Sequence, residues 1–112
     1  MNDNDYIEKS EALYAQIEEM IDDMIAEQDV ALDYENGGGV LTVLCEDTAT
    51  QVIITRQKPI HQIWVAAKSG GFHCDYVDGD WYCASTEEEL SMLLSRVCSE
   101  QSHSAISFAT FS

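Results

Sequence analysis

The 112 residues carry 21 Asp and Glu against 5 Lys and Arg, a formal net charge of −16. That length predicts one domain, and a 46% apolar fraction that includes 2 Trp, 5 Tyr and 3 Phe is enough to fill its core, which excludes a disordered chain. A surface this negative repels phosphate backbones and anionic headgroups, so nucleic acid and membrane are excluded as partners in favour of metal ions or a basic protein surface.

The opening Met1-Asn2-Asp3-Asn4-Asp5 is acidic where a signal or transit peptide would be basic, and no apolar run approaches the roughly 18 residues of a membrane span. A cytoplasmic protein is expected. Cys45, Cys74, Cys83 and Cys98 show no Cys-x-x-Cys spacing and are read as free thiols packed as small hydrophobes.

From about Asn4 to Ala26 the apolar residues Tyr6, Leu13, Ile17, Met20, Ile21 and Met24 recur at helical steps without Gly or Pro, which predicts one amphipathic helix. Leu13, Ile17, Met20 and Met24 form its apolar stripe. Glu8, Glu11, Glu18, Glu19 and Asp22 gather opposite, with Asp23 at the margin. Residues 1–35 hold twelve acids and one base, so −11 of the total charge lies in this third. The pairs Glu18/Asp22 and Glu19/Asp23 set like charges one turn apart, and acids at 22, 23 and 27 oppose the helix dipole. The arrangement costs stability.

Residues 29–83 read as strands. Val30 to Glu35 and Val40 to Cys45 flank the turn Asn36-Gly37-Gly38-Gly39, and further short strands follow at Gln51–Thr55, Ile60–Ala66, Phe72–Tyr76 and Trp81–Cys83. Ser85 or Thr86 ahead of Glu87-Glu88-Glu89 is expected to cap a second helix over about 86–101, with the stripe Leu90, Leu93, Leu94 and Val97, leaving a tail at 102–112. The order predicts an α+β two-layer sandwich, two helices packed on one face of an antiparallel five- to six-stranded sheet, as a single domain over 1–112. In the fourth strand Ile63 and Val65 share one face and Gln62 and Trp64 the other, which leaves a tryptophan on the open side.

Hard cations prefer carboxylate oxygen, and acids one helical turn apart can share an ion without enclosing it. The candidate ligands are Glu18, Glu19, Asp22 and Asp23, then Glu11, Glu8 and Asp3, with Asp29, Asp33 and Glu35 as a neighbouring patch. A solvated face that only maintains solubility is the plain alternative. The same acids, Glu19 and Asp22 among them, can hold a basic partner surface, with Trp64, Gln62, Gln57 and Thr55 as the non-ionic part of the contact. His61, His73 and His103 lack metal spacing and read as structural. No nucleophile elbow, phosphate loop or buried carboxylate pair is visible, so the chain is read as a binding protein and not an enzyme, with iron oxidation at the acids only weakly supported.

The stretch Thr55-Arg56-Gln57-Lys58-Pro59-Ile60-His61-Gln62-Ile63-Trp64-Val65-Ala66, followed by Gly70-Gly71-Phe72-His73, resembles the signature of the frataxin family, bacterial members in particular. The acids of the first helix and Asn36-Gly37-Gly38 with Val40-Leu41-Thr42 support the likeness. Thr55 stands where the family usually has an exposed asparagine, and Met24-Ile25-Ala26 replaces part of an acidic run. The resemblance implies a small protein of iron-sulfur cluster assembly that binds ferrous or ferric iron weakly, with other divalent or lanthanide cations able to substitute. It implies contact with the cysteine desulfurase and the cluster scaffold, as iron donor, regulator of the desulfurase, or both. A monomer is expected without iron, with an iron-driven oligomer left open. The rival reading is a metal-independent acidic inhibitor or adaptor that binds a basic surface.

Overall fold

A computed structural model describes residues 1–111. It is a two-layer α+β sandwich: helix α1 (Asp3–Gln28), strands β1 (Leu32–Gly37), β2 (Val40–Cys45), β3 (Thr50–Gln57), β4 (Gln62–Ala67), β5 (Gly70–Val77), β6 (Asp80–Cys83) and β7 (Glu88–Glu89), then helix α2 (Leu90–Ser102). The strands form one antiparallel meander in the order β1 to β7. The expected five or six strands become seven because Glu88 and Glu89 pair with Cys83 and Tyr82.

The helices cover one face of the sheet because the alternation along each strand puts apolar side chains on that face. Leu41 and Val43 of β2, Val52 and Ile54 of β3, Ile63 and Val65 of β4, and Cys74 of β5 are all buried. On α1 the buried set is Tyr6, Ser10, Leu13, Tyr14, Ile17, Ile21 and Met24. The stripe is therefore rotated from the expected one: Met20 is only partly buried, while Tyr14 and Ile21 are fully buried on its other side. Tyr14 can be inward because its hydroxyl finds the carbonyls of Gly39 at 2.8 Å and Ile54 at 2.9 Å, which offsets the cost of burying it.

The β1–β2 connection is a two-residue hairpin, with Gly38 and Gly39 at φ 61° and 81°. Positive φ at both central residues matches the twist of the strands, and glycine adopts it without strain. Asn2 caps α1 by accepting the Asp5 amide at 2.8 Å, and the helix ends at Asp29 in the left-handed region.

One expectation is corrected at the C-terminal end. Helix α2 starts at Leu90, not near residue 86, and neither Ser85 nor Thr86 caps it; Glu89 holds the cap position without a side-chain hydrogen bond. Glu87 takes φ 54°, which breaks helical continuity, and Glu88 is drawn to Arg96, whose guanidinium donates to both carboxylate oxygens at 2.9 and 3.1 Å. The segment after α2 is packed onto the core through Ile106, Phe108 and Phe111. Its backbone is held by two α2 serines: the Ser99 hydroxyl accepts the Ile106 amide and donates to its carbonyl, and the Ser95 hydroxyl accepts the Phe108 amide.

Phe108→Ala is therefore expected to cost about 3 kcal/mol by removing a buried ring, read by urea denaturation. A loss below about 0.5 kcal/mol, the size of an ordinary surface substitution, would contradict the packed tail.

Candidate functional site: a carboxylate ridge and an outward sheet patch

The acids of α1 lie on the face away from the core because the buried stripe fixes the roll of the helix. At 100° per residue, Glu11, Glu18 and Asp22 form one row and Glu8, Glu19 and Asp23 a second. Glu8, Glu11, Glu19, Asp22 and Asp23 are exposed and Glu18 is half-buried.

Strand β1 lies beside the first row. The Asn36 amide donates to Glu18 Oε1 at 3.0 Å, and the Tyr34 hydroxyl lies 3.0 Å from both carboxylate oxygens of Asp22. That hydrogen bond to Asp22 is the main reason the Tyr34 phenol is held above its ordinary value, with burial and the charges of Asp22, Glu18 and Asp33 adding to it. Asp33 and Glu35 are exposed on the same strand, and Asp29 is exposed at the helix end. Helix and edge strand thus make one acidic surface. Among the described residues no three His, Cys, Asp or Glu side chains converge into a metal cage.

Asp3 is set apart from the ridge. It pairs with His61 Nε2 at 2.8 Å, and His61 stacks on Tyr6 with ring centroids 5.3 Å apart. The hydrogen bond from His61 is the largest influence on the Asp3 carboxyl and holds it below the usual aspartate value. His61 and His73 do not meet, since His73 stacks on Trp64 instead.

The second candidate surface is the uncovered face of the sheet. Register places Thr55 opposite Trp64 and Gln57 opposite Gln62 on β3 and β4, and His73 opposite Trp64 and Asp75 opposite Gln62 on β5. The four non-ionic contact residues expected from the sequence therefore share one patch, while Glu19 and Asp22 stand apart from it on α1. Trp64 is half-buried there: its ring stacks on His73 at 4.3 Å and 12°, and its Nε1–H donates to Gln62 Oε1 at 2.8 Å. Gln62 in turn donates to Asp75 at 3.1 Å. A stacked, hydrogen-bonded tryptophan is pre-oriented for contact at low entropic cost. His73 and Asp75, and Tyr34 and Asn36 at the ridge, are members that spacing does not reveal; only the sheet register brings them in.

The family model for the frataxin-like domain matches residues 1–104. Frataxin from Psychromonas ingrahamii, of the CyaY protein family, has a TM-score of 0.84 to this chain at 35% identity, covering 97% of this chain and 99% of its own. Yeast frataxin shares the fold, with a TM-score of 0.69 at 22% identity over 88% of this chain and 80% of its own. So does trimeric frataxin from Saccharomyces cerevisiae complexed with ferrous, with a TM-score of 0.64 at 22% identity, covering 92% and 87%. This chain belongs to the frataxin family. Membership supports a role in iron-sulfur cluster biogenesis. No helix among the described residues is long and apolar enough to cross a membrane.

A group whose carboxyl is lowered by folding stabilises the fold above its ordinary value and loses that contribution as pH falls through the lowered one. Asp3 is expected to titrate in carboxyl NMR below an ordinary aspartate and to return to the ordinary range in His61→Ala. An unchanged Asp3 midpoint in that variant would contradict the pairing.

Proposed function

We propose that this protein is an iron-binding component of cytoplasmic iron-sulfur cluster assembly, taking iron weakly on the α1–β1 ridge and acting on the cysteine desulfurase and scaffold complex. The ridge supplies Glu18, Glu19, Asp22 and Asp23, flanked by Glu8, Glu11, Asp29, Asp33 and Glu35; Asp3, occupied by His61, is peripheral. The observation that carries the reading is the bonding of Glu18 to Asn36 and of Asp22 to Tyr34, which joins the helix acids to those of β1 in one surface. Such a surface shares a hard cation, ferrous or ferric, among several carboxylates and retains its waters. Other divalent or lanthanide cations fit by the same chemistry. The yeast structure complexed with ferrous fits an iron cargo, and its trimeric state fits self-association driven by iron, from an apo monomer.

For the partner, the ridge offers long-range attraction to a basic surface and the Trp64 patch offers a desolvated contact with Gln57, Gln62 and Thr55. The protein then works by binding, delivering iron or setting the rate of the desulfurase, and catalyses nothing itself.

Iron titrated into apo-protein should shift or broaden the NMR signals of residues 18–23 together with Asp33 and Glu35, and charge reversal at Glu19 and Asp22 should weaken desulfurase binding at low salt. No response of those signals removes the iron half. Binding that withstands charge reversal removes the ridge as the docking surface. Binding that depends on charge but is indifferent to chelator and to Trp64→Ala would instead favour a metal-independent acidic adaptor.

A further inference from the structure

Strands β5 and β6 bring two of the four cysteines together. Their register sets Asp75 opposite Tyr82 and Tyr76 opposite Trp81, which puts Cys74 opposite Cys83 at the next step. Directly opposed residues of an antiparallel pair have Cα atoms about 4.5–5.5 Å apart with side chains on one face, inside the roughly 4.4–6.8 Å window of a disulfide. Both side chains are fully buried, and Cys83 is a close neighbour of the Cys74 thiol. Cys45 on β2 and Cys98 on α2 are buried as well but belong to different layers of the sandwich.

The two thiols are unequal. Burial above all, then the neighbouring Cys83, pushes the Cys74 thiol far up. Burial also acts on Cys83, but the Ser85 hydroxyl 3.4 Å from its sulfur and the neighbouring polar groups of Ser85 and Thr86 outweigh it and hold this thiol below its ordinary value. The thiolate is the form that oxidants attack. Cys83 also ends its strand, beneath the turn of residues 84–87 that leads into the two-residue β7. Glu87 in that turn is held at φ 54°. A two-residue edge strand preceded by a residue at positive φ has a short ladder to hold it, and local opening there is the route the proposal requires for a small oxidant.

We propose that Cys83 and Cys74 form a reversible redox dithiol, in which hydrogen peroxide oxidises Cys83 and Cys74 resolves it into a cross-strand disulfide between β5 and β6. The Cys83 thiolate sulfur attacks one peroxide oxygen, the O–O bond breaks, and the departing hydroxide takes a proton to become water, leaving a sulfenic acid. The Cys74 sulfur then attacks the Cys83 sulfur; its proton leaves with the displaced hydroxide as a second water. Two thiols and one peroxide become one disulfide and two waters, and an added thiol reductant reverses the bond by exchange. Cys74 lies between His73 and Asp75, so the linkage pins the strand that carries the outward patch.

The test is peptide mapping of the folded wild-type protein after mild peroxide treatment, with remaining thiols alkylated on unfolding. A mass loss of about 2 Da in a linked Cys74/Cys83 peptide pair, with Cys45 and Cys98 alkylated and the bond cleared by dithiothreitol, is the expected result. In Cys74→Ala, checked for folding by circular dichroism, dimedone should trap Cys83 as the sulfenic acid. A linkage through Cys45 or Cys98, over-oxidation without linkage, or four thiols still reduced would each overturn the proposal. If the variant does not fold, the wild-type map decides alone.

Discussion

The two-sidedness of α1 is the constraint on which the rest of the molecule depends. Its buried stripe from Tyr6 to Met24 docks on the sheet, and the Tyr14 hydroxyl, bonded to carbonyls of Gly39 and Ile54, ties the helix to β3 and to the first hairpin. Once that roll is fixed, the remaining positions have no choice but to present their carboxylates to water. Six of them stand in two rows on one helix, and like charges one turn apart are unfavourable by a few tenths of a kcal/mol each. Burying apolar side chains, at roughly 1.5–3 kcal/mol for each large one, is the stronger effect. The helix therefore holds its acids in place against their repulsion, and a cation shared between rows would relieve it.

The sheet carries a second consequence of the same one-sided packing. Both helices cover a single face, so the other face of β3, β4 and β5 is left to its own side chains. There the pleat gathers Thr55, Gln57, Gln62, Trp64, His73 and Asp75 from three strands. The indole is not a loose aromatic, since His73 covers one side of it and Gln62 fixes its N–H. In the proposed function the charged ridge supplies attraction and the rigid polar-aromatic patch supplies contact. The acidic excess alone would give only steering.

Much of this was legible from local pattern. Strand alternation sorted Ile63 and Val65 from Gln62 and Trp64, glycine-rich segments marked the hairpin, and the unbroken helical period marked α1. What was not legible depends on partners distant in sequence. Glu87-Glu88-Glu89 looks like the acidic first turn of a helix, yet Glu88 is drawn to Arg96 and the strand ladder, and the helix waits until Leu90. Tyr14 passes for a polar-face residue until the carbonyls that receive its hydroxyl are known. The tail carries a readable signal, Ile106 and Phe108 two residues apart, but the hydroxyls of Ser95 and Ser99 that receive its backbone depend on the placed helix. At the ridge, the acids were identifiable by spacing; their fastening to Asn36 and Tyr34 required the hairpin to be placed beside the helix.

The proposed function rests on cation sharing by the mutually repelling carboxylates of α1 and β1. The most direct measurement is the Tm of apo-protein and of a Glu19→Gln/Asp22→Asn variant, each in calcium or a lanthanide and in sodium chloride of equal ionic strength, so that screening is matched. Cation sharing predicts that the multivalent cation raises the Tm of the native sequence more than sodium does, and that the variant starts higher and loses most of that difference. Equal shifts in the two salts, or an undiminished response in the variant, would contradict it.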